Sequence, residues 1–186
     1  MKKITLSVMA IAMMISLIAG SAYALFSSTA TVSGVTFSTG NATLQVWDKS
    51  SSTWGTDYLV SDFLFQNMYP SYTTFQTFSL KNASTSNISL KLNAKLRNGA
   101  TEFTPGDWDI LKDKIFVSFA DSSGTVLAGP ASLNYWNSTG ADFDTGLTQG
   151  ANRWYRIIVT VDSGAGNEIS DAGLSAMKFD FLGTQE

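Results

Sequence analysis

The sequence predicts an all-β protein, a jelly roll or β-sandwich with one or two short helices in its connections. Three observations lead to this prediction. Apolar and polar residues alternate repeatedly along the chain, turn-forming clusters separate the alternating stretches, and no strand–helix–strand rhythm is present. The clearest strand is Ile88–Leu96, where apolar residues alternate with Ser, Lys and Asn. Tyr155–Val161 and Met177–Phe181 repeat the pattern near the C-terminus.

Shorter stretches complete the predicted elements. Asp107 is placed to cap a helix over Trp108–Lys114, and Asn167 or Ser170 to start a shorter one that ends near Ala176. The other candidate strands are Thr43–Trp47, Tyr58–Phe65, Phe75–Leu80, Ile115–Ala120 and Ser132–Trp136. Turn signals between the elements lie at Ser50–Thr53, Asn98-Gly99, Asp121–Gly124, Ser138–Gly140 and Ser163–Gly166.

The first 24 residues have the features of a secretory signal peptide. Met1–Lys3 forms a basic start, and the apolar run that follows is shorter than the roughly 20 residues of a membrane-spanning helix. Ala22 and Ala24 occupy the two small-residue positions that a signal peptidase reads, so we expect cleavage before Leu25. The expected product is a single secreted domain over residues 25–186, without stable membrane insertion.

Charge and missing residue types exclude several functions. Loss of Lys2 and Lys3 would reduce the 12 basic residues to 10, against 15 acidic ones, for a net charge of −5. This acidity disfavours nucleic acid and anionic lipid as partners. The chain has no Cys, so no disulfide can form, and no His, the commonest general base and a frequent zinc ligand. We therefore predict no catalytic residues, no metal site and no cofactor.

Two acidic clusters remain as candidate calcium ligands. They are Asp107 with Asp109, and Asp142 with Asp144. Neither cluster has the ligand spacing of an EF-hand loop. Acidic residues at a helix start or a loop tip usually cap the helix or face solvent, which is the interpretation we favour over calcium binding.

The segment after the expected cleavage site changes its alternation at Gly34. Before Gly34 the apolar residues Phe26, Ala30 and Val32 occupy even-numbered positions, whereas Val35 and Phe37 occupy odd-numbered ones. Neighbouring residues of a strand point to opposite faces, so one regular strand cannot bury both sets on one face. Either the strand has a bulge at Gly34, or Leu25–Ser33 leaves the domain and pairs elsewhere as a donor strand. In the second case Gly34 is the hinge, and the inward-facing positions are Phe26, Ser28, Ala30 and Val32.

Sequons and aromatic residues give further candidate sites. The chain has five Trp, six Tyr and twelve Phe, and packing within strands is the favoured role for most of them. Tyr69–Tyr72 and Asn134–Asn137 resemble loops that expose rings, which leaves a carbohydrate-binding role open. The candidate N-glycosylation sites are Asn41, Asn82, Asn87 and Asn137.

Three parts of the chain resemble the TasA/camelysin family of exported fibre subunits. The first is similar to the family's start, where an Ala-rich cleavage site precedes an aromatic residue and a Thr-Phe-x-x-Gly turn. The second resembles its strand, Asn-x-Ser turn and returning strand, and the third its closing strand. These parts are Ala22–Ser28 with Val35–Leu44, Phe78–Ser84 with Ile88–Leu96, and Met177–Gln185.

The resemblance implies a jelly roll that a dedicated signal peptidase processes and that assembles into extracellular fibres by donor-strand exchange. In that mechanism residues 25–33 complete the sheet of the next copy, so a head-to-tail homopolymer grows. The family name also carries a metallo-endopeptidase activity. Without His or Cys, zinc would be held by carboxylates alone, so we do not expect proteolysis.

The sequence therefore predicts a secreted structural subunit of a surface or biofilm-matrix fibre. Its expected partners are other copies of itself, the signal peptidase during export, and matrix polysaccharide. The first alternative is a monomeric cell-surface module that binds polysaccharide through exposed aromatic residues. The second is an accessory protein that caps or anchors fibres built mainly from another protein.

Export gives the first testable prediction. We expect the protein recovered from the culture medium to begin at Leu25, because Ala22 and Ala24 follow the apolar run. Intact-mass analysis should show the loss of residues 1–24. A secreted species that retains the apolar run would contradict this prediction.

Overall fold

Eleven strands and two short α-helices are found in the part of the chain that the computed structural model describes. The described residues are 27–30, 37–38, 42–48, 51–56, 68–97, 99, 103, 105–169 and 177–185. The strands are β1 (Ser27–Ala30), β2 (Phe37–Ser38), β3 (Leu44–Asp48), β4 (Thr53–Gly55), β5 (Thr73–Asn82), β6 (Leu90–Leu96), β7 (Ile115–Asp121), β8 (Val126–Ser132), β9 (Ala141–Leu147), β10 (Asn152–Val161) and β11 (Phe179–Gln185). The helices are α1 (Pro105–Leu111) and α2 (Leu133–Ser138), and a 3-10 turn covers Asn167–Ile169.

The strands form two antiparallel sheets. A five-stranded sheet, here sheet A, has the order β2-β1-β11-β6-β9. A six-stranded sheet, here sheet B, has the order β4-β3-β5-β10-β7-β8. The all-β class with short helices in the connections is therefore confirmed. Among the residues described, no helix has both the length and the apolar character to cross a bilayer.

The core lies between the two sheets and is rich in aromatic rings. Phe119 of β7 is at its centre: its ring stacks on that of Phe143 at 5.1 Å and meets those of Phe179 and Trp136 edge-on at 5.1 and 5.0 Å. These contacts join β7 of sheet B to β9 and β11 of sheet A and to α2. Alternate residues of the strands complete the core, for example Leu90, Leu92, Ala94 and Leu96 of β6 and Tyr155, Ile157, Val159 and Val161 of β10.

Most of the predicted strands are present, with shifted ends. The strands predicted at Thr43–Trp47, Phe75–Leu80, Ile88–Leu96, Ile115–Ala120, Tyr155–Val161 and Met177–Phe181 correspond to β3, β5, β6, β7, β10 and β11. The strand predicted at Tyr58–Phe65 lies outside the described residues, and so does most of the helix predicted to end near Ala176. The helix predicted at Trp108–Lys114 corresponds to α1, which begins three residues earlier, at Pro105, so Asp107 lies in its first turn and does not cap it.

The strand predicted at Ser132–Trp136 is wrong, because α2 begins there. The Ser132 side chain caps the helix by accepting a hydrogen bond from the Tyr135 backbone N–H at 3.3 Å. Leu133 and Trp136 are three residues apart, so a helix turns both into the core. The Trp136 indole N–H then donates to the Val117 carbonyl at 3.0 Å.

Strand β8 forms one outer edge of sheet B and was not predicted, since Gly129-Pro130 looks like a turn. Its pairing with β7 is irregular, with register shifts on both sides of Phe119. Gly129 has φ +88°, and a Cβ there would lie 2.5 Å from the Val117 carbonyl oxygen, so only glycine fits. Pro130 has no N–H, which suits an edge strand.

Asn82 joins the end of β5 to neighbouring segments. The residue is fully buried, and its amide Nδ2 donates to the carbonyls of Ile88 at 2.9 Å and Leu147 at 2.8 Å. Its Oδ1 accepts from the Ser84 backbone N–H at 3.1 Å. Asn82 is therefore a structural side chain, and its buried amide is not accessible for the glycosylation that its sequon suggested.

We predict that Asn82→Ala lowers the free energy of unfolding by about 3 kcal/mol, because it leaves buried backbone groups without partners. Urea denaturation of the mature domain measures this change. Asn87→Ala is the matched control, since Asn87 also begins a sequon but is exposed, and its effect should stay within about 0.5 kcal/mol. Equal losses in the two variants would contradict the structural role of Asn82.

Candidate functional site

The predicted donor strand falls partly within the described residues. Ser28 and Ala30 lie in β1, where they alternate with Ser27 and Thr29. The predicted positions outside the described residues are Ala22, Ala24 and Leu25 of the cleavage site, Phe26 and Val32 of the donor strand, the hinge Gly34 and the sequon residue Asn41.

Strand β1 pairs with β11 of the same chain, on the side of β11 that faces away from β6. The register pairs Ser27 with Thr184, and each following residue of β1 with the preceding residue of β11, as far as Ala30 with Phe181. Strand β6 pairs with all seven residues of β11, whereas β1 pairs with four. Beyond β1 lies only the two-residue β2 among the described strands. Strands β1 and β2 are antiparallel neighbours, so of the two alternatives the single continuous strand with a bulge at Gly34 is not what the structure contains.

Gly183 marks the place where β11 comes close to the opposite sheet. It pairs with Ser28, and a Cβ added to it would lie 3.1 Å from Leu90 Cδ1 and 3.5 Å from Leu44 Cβ. Leu44 belongs to β3 of sheet B and is fully buried. The absence of a side chain at Gly183 thus lets the two sheets pack closely beneath the β1–β11 pair.

The opposite side of the sandwich is closed by a polar cluster around Asp144 of β9. Its side chain is only 9% exposed, and Arg153 of β10 donates to its two oxygens at 2.8 and 2.7 Å. The Tyr155 hydroxyl also donates to Asp144. Burial, followed by this hydrogen bond, raises the pKa of Tyr155 well above its usual value. The cluster joins the edge of sheet A to sheet B, so this side is fixed by side chains, whereas the other ends in β1 and β2.

The acidic clusters do not form a metal site in the described part of the chain. Asp142 and Asp144 were expected in a loop but lie in β9. Asp142 pairs with Lys91 at 2.5 Å and accepts from Asn93 at 2.9 Å, which lowers the pKa of its carboxyl. Asp109 pairs with Lys112 at 2.7 Å. No group of three or more potential metal ligands occurs among the described residues.

The other candidate residues are scattered. Asn87 is exposed, whereas Asn137 is half-buried and its Oδ1 accepts from the Gly99 N–H at 2.6 Å. Of the two stretches expected to expose rings, Tyr69 is 59% exposed and Tyr135 41%, but Trp136 is buried. Two further exposed rings, Phe75 and Trp154, lie on strands, where packing was the favoured role for aromatic residues.

The fold defines the class as an all-β sandwich in which the first described strand, β1, pairs with β11 near one edge of sheet A. A comparison with protein-family models identifies the family: the camelysin metallo-endopeptidase model matches residues 1–121, about two thirds of the chain. The chain belongs to this family, which includes TasA-type proteins. Comparisons with curated proteins and with solved structures found no significant match.

The name of the family implies a catalytic metal, and the residues of this chain do not fit one well. Zinc in proteins is held chiefly by imidazole and thiolate, and the sequence contains neither. Oxygen ligands remain, but Asp109, Asp142 and Asp144 are each paired with a cation. We therefore derive no reaction step through a metal.

The Asp144 cluster gives a prediction about alkaline pH. The pKa of Tyr155 is higher in the folded state than in the unfolded chain, where it is about 10. Its contribution to stability is therefore fully present below pH 10 and is lost as the pH rises above 10. We expect Tyr155→Phe to lose about 1–2 kcal/mol at pH 8, because Asp144 loses a donor, but to show a shallower decline above pH 10.

Urea denaturation at pH 8, 10 and 11 measures both effects. Tyr135→Phe, which removes an exposed hydroxyl, should match the parent protein at pH 8. A decline above pH 10 that is as steep in Tyr155→Phe as in the parent would show that Tyr155 does not hold its proton as described.

Proposed function

We propose that the chain is a structural subunit of an extracellular fibre and that it assembles head-to-tail by exchanging the segment around β1. The observation that carries this proposal is the weak attachment of β1 near the edge of sheet A, where it pairs with only four residues of β11 and with the two-residue β2. Membership of the camelysin family supports it, because the N-terminal resemblance to TasA-type subunits lies within the matched residues 1–121.

The position of β1 suits a strand supplied by another copy. Main-chain hydrogen bonds between strands do not depend on which chain provides the partner, so a second copy can offer the same segment to β11. Phe179 and Phe181 of β11 stay in the core through their contacts with Phe119. Without β1, the remaining sandwich keeps this core but exposes the edge of β11, which a free strand can complete.

In the proposed exchange the chain opens at the connection between β1 and β2. The two strands pair as a hairpin, Thr29 with Phe37, and the residues between them include Gly34. Opening this connection at Gly34 would release β1 without disturbing β3 to β11. Repeated exchange in one direction does not close on itself, so it produces a filament, whereas reciprocal exchange produces a dimer.

The pairing register between β1 and β11 agrees with the alternation of inward-facing positions that we expect of a donor strand. Ser28 and Ala30 pair with Gly183 and Phe181, which are buried positions of β11. Thr29 pairs with Leu182, which is only partly buried. This agreement supports Phe26, Ser28, Ala30 and Val32 as the set that would face the acceptor core. The proposal assigns no proteolysis to the chain, because the zinc ligands His and Cys are missing from its sequence.

A disulfide trap tests the proposal, and the absence of native cysteine makes the result unambiguous. In Thr29→Cys/Leu182→Cys the two residues are direct partners, at a separation that suits a disulfide. We expect the oxidised, assembled protein to run as a ladder of covalent multimers on a non-reducing gel. The control Ser27→Cys/Leu182→Cys is two residues out of register and should cross-link poorly.

A single monomer band from the in-register pair, in material that forms filaments by electron microscopy, would show that β1 stays in its own sheet and would overturn the exchange.

Deletion of residues 25–33 provides a second measurement. This variant should remain soluble, fail to form filaments, and bind a synthetic peptide of that segment. Phe26→Asp should also block assembly, whereas Ser27→Asp, of opposite parity, should not.

A further inference from the structure

The outer face of sheet B carries aromatic rings and cations. On β10, Tyr155 and Ile157 are buried, so Trp154 and Arg156 lie on the side away from the core. The buried residues of β3 and β5 place Trp47, Phe75 and Lys81 on the same side, and Trp54 of β4 is paired with Trp47. We call this set the aromatic face: Trp47, Trp54, Phe75, Lys81, Trp154 and Arg156.

Two rings of the aromatic face are well exposed, and the other two are half-buried. Phe75 is 53% exposed and Trp154 is 50% exposed, which is high for such large apolar side chains. The rings of Trp47 and Trp54 meet edge-on at 5.3 Å. Single exposed apolar residues need no explanation, but a group of rings on one sheet face is typical of a binding surface.

Each cation of the aromatic face lies over a ring. Lys81 Nζ is 5.6 Å from the ring centroid of Trp54, and Arg156 Cζ is 4.8 Å from that of Phe75. A hydrogen bond from Arg156 Nη2 to the Ser122 carbonyl at 2.6 Å fixes the guanidinium in place. The binding groups are therefore held in position before any ligand arrives.

The charges of the two outer faces differ. On sheet A the cations have acidic neighbours: Lys91 pairs with Asp142 and Arg97 with Asp180, whereas Lys95 forms no ion pair with a described residue. On sheet B, neither Lys81 nor Arg156 forms an ion pair with any residue that the structure describes. The outward positions of β3, β5 and β10 include no Asp or Glu, although the chain as a whole is acidic. The aromatic face is thus a positive surface on a negative protein.

The spacing of these groups fits a polymer. Trp154 pairs with Ser79 and Arg156 with Thr77, so Trp154 lies between the two cations in register along β5. Lys81 and Thr77 are four residues apart, which corresponds to about 14 Å along a strand. A ligand that contacts both cations and the ring between them must extend over several units.

We propose that the aromatic face binds a carboxylate-bearing polysaccharide. The exposed Trp154 ring can stack on the apolar face of a pyranose ring, while the Lys81 ammonium and the Arg156 guanidinium pair with the carboxylates. Two cations on an acidic chain suit a polymer of low charge density better than the closely spaced phosphates of a nucleic acid. This inference does not depend on strand exchange, because the aromatic face lies on sheet B and β1 lies in sheet A.

The test measures binding of the mature protein to polygalacturonate, to the same polymer with its carboxylates methyl-esterified, and to single-stranded oligothymidylate. We expect binding to polygalacturonate that weakens with salt, and much weaker binding to the other two. Lys81→Gln should reduce the affinity about two- to fivefold. Trp154→Ser should reduce it about tenfold.

Lys95→Gln is the matched control, since it removes the same charge from an exposed position on the outer face of sheet A. It should leave the affinity unchanged, and unaltered urea denaturation of all three variants shows that they are folded. The proposal is overturned by equal binding to the esterified polymer, by preference for the oligonucleotide, by equal losses in Lys81→Gln and Lys95→Gln, or by absence of binding. Self-association that Trp154→Ser abolishes without polysaccharide would assign the face to a second copy instead.

Discussion

The ring of Phe119 touches the rings of both sheets and of α2, and the rest of the fold depends on these contacts. The chain has no Cys and no His, so neither a disulfide nor a typical zinc site can hold the sheets together. Burial of apolar surface must supply the cohesion, and large rings bury the most surface per residue. The position of Phe119 therefore determines how β7 lies on β9 and β11, and hence where both edges of sheet A are found.

The two edges of sheet A differ because different interactions close them. At β9, Asp144 is tied to Arg153 and Tyr155 of the opposite sheet by charged and neutral hydrogen bonds. Such a buried carboxylate is costly to separate from its partners. At β11, the neighbour is a four-residue strand from the start of the domain. One edge is thus resistant to change, and the other is held by a short segment close to the chain terminus.

Alternation in the sequence was sufficient to find the strands that bury one face, such as β6 and β10, and hence the fold class. Alternation failed where a strand or side chain is fixed by residues that are distant in the sequence. Strand β9 was missed because Asp142 and Asp144 look like loop residues. Their ion-pair partners, Lys91 of β6 and Arg153 of β10, belong to other strands, so the sequence around β9 does not show them. In the same way, nothing near Asn82 in the sequence shows that its amide meets the Leu147 carbonyl. The change of parity at Gly34 did predict a break between two strands, but parity cannot tell which sheet the first strand joins.

The irregular β8 has a consequence for how the protein behaves at high concentration. An exposed, regular edge strand is a template for uncontrolled sheet extension between molecules. At β8, Pro130 withholds a hydrogen-bond donor, and the register shifts against β7 twist the strand away from a flat geometry. Among the described strands, the one at the other margin of sheet B is β4, which has only three residues. The described strands of sheet B therefore offer little regular edge for sideways growth between molecules, which disfavours aggregation through this sheet.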